Sequence, residues 1–133
     1  MMVLVDTSVM IDFFKNVRNS SVDTLQGIIE FGVPFGITSH IYQELLQGTS
    51  NKKDFMTLKK YLDTLVFFEP LDKKESYAKA ADIYFRCRKN GITVRSSTDC
   101  LIARIAIEHH LKLLHNDKDF ANIKKVIAEL QVY

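Results

Sequence analysis

Two acidic residues of this chain directly follow short apolar segments, where an unpaired carboxylate is unfavourable. Asp6 comes straight after Val3–Val5, and Asp117 comes shortly after the apolar residues 111–114. A buried strand does not normally end in a carboxylate, because a desolvated charge must be paired. Carboxylate oxygens are the ligands that hard cations such as Mg²⁺ and Mn²⁺ prefer. The chemistry open to these two residues is therefore to hold a divalent cation.

Two further acids fall within helical patterns. Asp99 is followed at i+3, i+4 and i+7 by Ile102, Ala103 and Ala106, which predicts that it faces the core side of its helix. Glu44 lies in a second helical pattern among apolar neighbours. In an open α/β sheet, ligands bind in the crevice beyond the carboxyl ends of the strands. We therefore expect all four acids to converge on one edge of the sheet.

Each acid taken alone also has an ordinary structural explanation. Asp6 and Asp117 could form turns or cap helices, and Asp99 could be a first-turn acid favoured by the helix dipole. Glu44 could lie on a solvated helix face. The joint pattern of four acids is much less expected by chance, and it favours a metal-dependent nuclease site.

Short apolar runs alternate with longer amphipathic segments along the chain, which is typical of an α/β fold. Strands are predicted over residues 2–5, 35–38, 66–68, 111–114 and 131–133. Helices are predicted from an N-cap at Ser8 through Phe14, from Ser20 or Ser21 to near Gly32, from Ser39 or His40 to Gly48, and over residues 51–64, 73–90, 97–110 and 121–130.

Composition narrows the possible classes of protein. The length of 133 residues predicts a single domain over residues 1–133, and 47% hydrophobic with 26% charged residues is typical of a globular protein. A net charge of +2 does not by itself indicate nucleic-acid binding. Cys87 and Cys100 match no zinc or redox spacing, which favours a reducing compartment. With no signal-peptide or membrane-spanning pattern, we expect a cytoplasmic protein.

Four segments in order carry a resemblance to a known family. They are residues 5–14 around Asp6 and Ser8, residues 39–48 around Glu44, residues 98–106 around Asp99 after the Asn90-Gly91 corner, and residues 113–120 with Asp117 and Asp119. Together they resemble the PIN-domain family, and more narrowly the VapC-type toxins of toxin–antitoxin pairs. The resemblance covers nearly the whole chain.

This resemblance implies a three-layer fold with a central parallel sheet of four to five strands and helices on both faces. It also implies Mg²⁺- or Mn²⁺-dependent RNA cleavage by a metal-activated water. By position, Asp6 and Asp99 match the family's most regular metal ligands, and Asp117 assists them. Glu44 matches the fourth catalytic acid, which, like Asp117, is a candidate to orient or deprotonate the water.

Three other positions follow from the same resemblance. Ser8 matches a small polar residue near the metal. Asp119 matches a frequent but less essential acid, for which helix capping is at least as good an explanation. His115 departs from many relatives, which have Thr there. It could be a neutral, hydrogen-bonded imidazole, a substrate contact or a weak extra ligand.

Basic residues near the acids are candidates for RNA contacts. Arg88 and Arg95 flank the Asn90-Gly91 corner, and Lys118 follows Asp117. Such side chains can neutralise phosphates and make binding salt-dependent. The alternative is that they are solvated ends of helices.

The resemblance also implies partners, namely an RNA substrate, a cognate antitoxin and a second copy in a homodimer. Three alternatives remain open: an RNA-processing PIN nuclease without an antitoxin, a non-catalytic RNA- or protein-binding module, and a phosphate-ester hydrolase of the haloacid-dehalogenase type. The last class needs a second Asp two residues after the first, where this chain has Ser8.

Overall fold

A five-stranded parallel sheet forms the centre of the molecule. The computed structural model describes residues 2–133, and its strands lie in the order β3-β2-β1-β4-β5. All four strand pairings are parallel. The strands are β1 (Val3–Val5), β2 (Phe35–Ile37), β3 (Val66–Phe67), β4 (Lys112–Leu114) and β5 (Gln131–Val132).

Within residues 2–133, seven helices connect and flank these strands. The helices α1 to α4 pack against one another in one group, and α5 to α7 in another. The bounds are α1 (Thr7–Phe14), α2 (Ser20–Glu30), α3 (Ser39–Gln47), α4 (Lys52–Leu62), α5 (Lys73–Lys89), α6 (Ser97–Glu108) and α7 (Lys118–Val126). The predicted α/β class and parallel sheet are confirmed.

The order of the strands explains where a site can form. From β1 the chain moves outward to β2 and β3, and it then crosses to β4 and β5 on the other side. Right-handed crossovers in opposite directions place their helices on opposite faces of the sheet. The connections leaving β1 and β4 therefore diverge, and a crevice opens beyond the carboxyl ends of these two strands.

The two strands that border this crevice, β1 and β4, lie in the buried centre of the sheet. The side chains of β1 are fully buried, as is Leu113 on β4. Just past β1, the amide of Asp6 donates to the carbonyl of Leu114 over 2.9 Å. The two segments that carry Asp6 and Asp117 therefore leave the sheet side by side.

Several predicted helix ends differ from the structure because other polar residues act as caps. Helix α1 is capped by Asp6, whose carboxylate accepts the amide of Ser8, so the predicted cap at Ser8 is wrong. Helix α2 is capped by Asn19 rather than by Ser20 or Ser21. Helix α7 begins at Lys118, three residues before its predicted start, because the Asp117 carboxylate accepts the amide of Asp119.

Within residues 2–133, no helix combines the length and the apolar character that crossing a bilayer requires.

Candidate active site

Asp6 is held at the corner between β1 and α1. Its Oδ2 accepts two hydrogen bonds from Ser8, one from the amide over 3.1 Å and one from the hydroxyl over 2.7 Å. The residue is only 5% exposed. Burial raises the pKa of Asp6 above its usual value, although the Ser8 hydrogen bonds partly offset this effect. Ser8 in turn accepts the amide of Asn116 over 3.0 Å, which links the segment after β1 to the segment after β4.

Three other carboxylates form a tight cluster beside this corner. Asp99, Asp117 and Asp119 each offer an oxygen, and these atoms all lie within 4.8 Å of one another. Asp99 comes from the first turn of α6, while Asp117 and Asp119 come from the start of α7. The structure therefore brings two of the predicted metal ligands together with a third acid.

The electrostatics of Asp99 show how crowded these charges are. Its pKa rises to about 7, first because it is desolvated and then because Asp6, Asp117 and Asp119 are negatively charged. A hydrogen bond with Asp119 adds to the same shift. Like charges at such distances favour retention of a proton on one carboxylate.

This donor set fits a divalent metal. It consists of carboxylate oxygens only, which suits Mg²⁺ or Mn²⁺ better than a softer ion. A cation would also relieve the mutual repulsion that raises the pKa of Asp99. Asp6 lies close enough for its charge to act on Asp99, although it is outside the group of three.

Glu44 is linked to the corner at Asp6 through a neighbouring residue. The hydroxyl of Thr7 donates to its Oε1 over 2.8 Å, and the ring of His40 lies 3.4 Å from the same oxygen. Its side chain is 39% exposed. Glu44 is not part of the group of three acids, but Thr7 connects it to the residue next to Asp6.

The family follows from direct comparison. Residues 3–126 match the model of the PIN domain. The chain belongs to the PIN-domain family. It is 31% identical over 126 residues to Ribonuclease VapC11 from Mycobacterium tuberculosis, a match that covers 94% of this chain and 93% of that protein. The predicted resemblance to VapC-type PIN domains is therefore confirmed.

Solved structures show the same fold. The crystal structure of VapBC2 from Rickettsia felis bound to a DNA fragment from their promoter matches with a TM-score of 0.74 and 20% identity, over 100% of this chain and 98% of that chain. The structure of VapBC-1 from nontypeable Haemophilus influenzae matches with a TM-score of 0.72 and 22% identity, over 100% and 97%. At these identities the likeness shows a PIN fold.

His115 lies between β4 and α7, two residues before Asp117. Its Nδ1 accepts the amide of Asp117 over 3.2 Å, and its ring lies against Phe120. Burial lowers the pKa of the imidazole below its usual value. The structure therefore favours a neutral, hydrogen-bonded His115 that supports the backbone at Asp117.

The three basic residues predicted to contact RNA lie in different surroundings. Arg95 donates to Asp119 and Asp117 at the acid cluster. Arg88 is exposed near the end of α5, over the ring of Tyr84. Lys118 is exposed at the start of α7, next to Asp117. Their roles in RNA binding remain predictions.

Sequence reasoning undervalued Asp119 and missed two side chains. Asp119 is 5% exposed and lies in the acid cluster, whereas the cap of α7 is Asp117. The signal for Asp119 was its position two residues after Asp117 and directly before Phe120, which is fully buried. No sequence signal pointed to Thr7 or His40, because their contacts with Glu44 depend on how α1 and α3 pack.

Proposed function

We propose that this PIN domain is a divalent-metal-dependent endoribonuclease and the toxin of a VapBC-type toxin–antitoxin pair. The observation that carries this proposal is the cluster of Asp99, Asp117 and Asp119 within 4.8 Å, next to Asp6 at the carboxyl ends of β1 and β4. The 31% identity to a protein named as a ribonuclease, over 94% of this chain, supports it.

Asp6, Asp99 and Asp117 are the proposed ligands of Mg²⁺ or Mn²⁺, with Asp119 as a fourth acid beside them. When bound, such an ion neutralises charge on a phosphoryl group and makes water a stronger nucleophile. The two hydrogen bonds from Ser8 fix Asp6 Oδ2, so this carboxylate is oriented before a ligand arrives. Burial and the neighbouring negative charges raise the pKa of Asp99 to about 7, so a bound cation would compete with a proton at this carboxylate.

Glu44 or Asp117 is the proposed general base. Glu44 is partly exposed, and Thr7 holds its Oε1, so its position is defined while solvent can reach it. In the reaction, water forms a bond to phosphorus while the bond to the leaving ribose oxygen breaks. The base takes a proton from the water, and the leaving oxygen gains one.

The decisive experiment is cleavage of total RNA by the purified protein with Mg²⁺, with Mn²⁺ and with EDTA. We expect discrete fragments that EDTA abolishes. Asp6→Asn and Asp99→Asn should each reduce cleavage at least about 100-fold, since even residues that only support metal ligands contribute 10- to 100-fold. The control is Asp82→Asn, an acid on an exposed position of α5, which should cleave like the wild type.

Two results would contradict this assignment. Full metal-dependent cleavage by both site variants would show that the acids are not the ligands. No cleavage by a folded, antitoxin-free wild type would favour the alternative of a binding module.

RNA contacts are proposed for Ser8, Arg88, Arg95 and Lys118. Each arginine or lysine that neutralises a phosphate should contribute about one unit to the slope of log affinity against log salt concentration. Replacing Arg88 or Lys118 by Ala should weaken RNA binding and reduce that slope. An unchanged slope would mean that these are ordinary solvated cations.

A toxin needs a partner that restrains it, and we propose a cognate antitoxin. Support comes from two structural neighbours, VapBC2 from Rickettsia felis and VapBC-1 from nontypeable Haemophilus influenzae. Induced expression of this chain alone should stop growth of a bacterial host, whereas Asp6→Asn should not. Normal growth with active RNA cleavage in vitro would instead favour the RNA-processing nuclease without an antitoxin.

We further propose a homodimer. Helix α5 presents two exposed tyrosines, Tyr77 and Tyr84, beside a cleft of about 530 Å³ that His40 and the first turn of α6 also line. Light scattering should give twice the monomer mass of 15.3 kDa. The variant Tyr77→Glu should shift the mass towards the monomer if this face is the interface.

A further inference from the structure

One cation of the chain itself contacts the acid cluster. Arg95 precedes α6 and lies four residues before Asp99. Its Nε donates to both carboxylate oxygens of Asp119, over 3.3 and 3.2 Å, and its Nη2 lies 3.5 Å from Oδ1 of Asp117. These contacts span 22 and 24 residues in sequence, so the fold brings the guanidinium to the cluster.

Burial differs sharply between the two sides of this contact. The side chain of Asp119 is 7% exposed and that of Asp117 is 29% exposed, whereas the side chain of Arg95 is 71% exposed. The carboxylates are fixed by the sheet and by α7, while most of the arginine remains in water. The Arg95 side chain could therefore move away from the cluster by rotating into the solvent, with little other rearrangement.

The same carboxylate oxygens cannot serve two cations equally well. Both oxygens of Asp119 face Arg95 Nε, and Oδ1 of Asp117 already accepts the amide of Asp119. A divalent ion on the proposed ligands Asp99 and Asp117 would place two positive charges next to the guanidinium, whose Nη2 lies 3.5 Å from Oδ1 of Asp117. This repulsion falls with distance and is relieved if the guanidinium moves away.

We propose that Arg95 is a resident counter-cation of the acid cluster, and that a divalent metal bound by Asp6, Asp99 and Asp117 must displace its guanidinium from Asp117. The inference rests on the proposed metal site. It goes beyond that site because it assigns to Arg95 an effect on the metal affinity, and therefore on the metal concentration at which the site fills. Removing this positive charge should make metal binding stronger. If Arg95 only oriented the ligands, replacing it would weaken metal binding instead.

The test measures Mn²⁺ binding to the metal-free protein without RNA, using the electron paramagnetic resonance signal of free Mn²⁺. Removing a unit charge a few ångströms from the ion should tighten binding by about three- to tenfold in Arg95→Gln. Arg95→Lys keeps the charge but loses the planar guanidinium, so its Mn²⁺ affinity should lie between those of the wild type and Arg95→Gln. Lys79→Gln makes the same change of net charge at an exposed position of α5 and should bind Mn²⁺ like the wild type.

A second measurement tests the counter-cation role without metal binding. In EDTA, Arg95→Gln should unfold at a lower temperature than the wild type, because the crowded carboxylates lose their partner. At saturating Mn²⁺ this difference should disappear. Lys79→Gln should show no such dependence on metal.

The outcomes separate this inference from the proposed nuclease. Tighter Mn²⁺ binding by Arg95→Gln supports competition even if no RNA is cleaved. Equal or weaker binding by Arg95→Gln overturns it even if the protein is an active ribonuclease. If the wild type and every variant bind no Mn²⁺, both the metal site and the competition are wrong.

Discussion

At the scale of single residues, structural and functional roles coincide in the same side chains. Asp6 and Asp117 are the N-caps of α1 and α7, and both also belong to the candidate site. The cap bonds fall on Oδ2 of Asp6 and on Oδ1 of Asp117. Capping therefore orients each carboxylate, and the two explanations offered by the sequence do not exclude each other.

Asp99 should give the metal-free protein an unusual dependence of stability on pH. Its pKa is about 7 in the folded protein, above the ordinary value of 3.8, so between these two pH values the folded state binds more protons. The contribution of Asp99 to the free energy of unfolding is therefore largest below about pH 4. It is lost as the pH rises to about 7.

This prediction can be checked by thermal unfolding in EDTA at pH 5 and pH 7.5. The wild type should lose more stability between these two conditions than Asp99→Asn, which cannot ionise. The difference between the two proteins isolates Asp99 from other titrating groups. An identical loss in both would mean that Asp99 ionises normally in the folded state.

At the scale of elements, the close approach of β2 and β3 depends on a residue without a side chain. A Cβ added at Gly36 would lie 2.2 Å from the carbonyl oxygen of Val66 and 2.8 Å from Cε2 of Phe68. Backbone atoms of a neighbouring strand cannot move away easily. Gly36 thus permits the pairing that extends the sheet from β1 to β3.

Gly36→Ala should therefore destabilise the fold. We expect a loss of about 1–3 kcal/mol or more in the free energy of unfolding, which is typical of an overpacked core position. Urea unfolding followed by circular dichroism would measure it.

The matched control for Gly36→Ala is Gly27→Ala within α2, where an added Cβ meets nothing within 4 Å. Replacing a glycine inside a helix by alanine should stabilise by about 0.5–1 kcal/mol. Similar stability changes at the two glycines would show that the contact with Val66 does not prevent a larger side chain at position 36.

Helix α6 and its neighbour α5 are joined by a polar contact that is separate from the candidate site. Glu108, at the end of α6, accepts the hydroxyl of Ser76 over 2.6 Å and the amide of Leu71 over 3.1 Å. Arg104 donates to it over 3.0 Å. Burial alone would raise the pKa of Glu108, but these hydrogen bonds outweigh it and lower the pKa. The contact fixes the end of α6 opposite to Asp99.

At the scale of the whole molecule, cation binding and folding should be coupled. A metal that binds the folded chain and not the unfolded one adds a stability of RT ln(1 + [L]/Kd), about 2.7 kcal/mol at 100 times Kd. Saturating Mn²⁺ should therefore raise the unfolding temperature of the wild type by several degrees.

Differential scanning fluorimetry with titrated Mn²⁺ would test this coupling. The shift should be strongly reduced in Asp99→Asn and in Asp117→Asn. It should be unchanged in Asp82→Asn, which lies on an exposed position of α5. A shift of the same size in all four proteins would place the ion elsewhere on the surface.

Much of this protein could be predicted from the sequence, because its signals are local. The apolar runs before Asp6 and Asp117 predicted β1 and β4, and helical periodicity predicted the core-facing side of α6. The capping residues were harder to predict, because two polar residues that can act as N-caps lie near each helix start. The structure has Asp6 rather than Ser8 before α1, and Asn19 rather than Ser20 before α2. The PIN-domain resemblance rested on four segments in order and was confirmed.

Only the tertiary structure decided which side chains meet. The strand order places Asp6 and Asp117 on neighbouring segments, and the packing of α6 and α7 brings Asp99 and Asp119 within 4.8 Å of Asp117. The contact of Arg95 with Asp119 and that of Thr7 with Glu44 span 24 and 37 residues. The strands and helices could be predicted from the sequence because they depend mainly on neighbours along the chain. Distances between charges depend on how those elements pack in space.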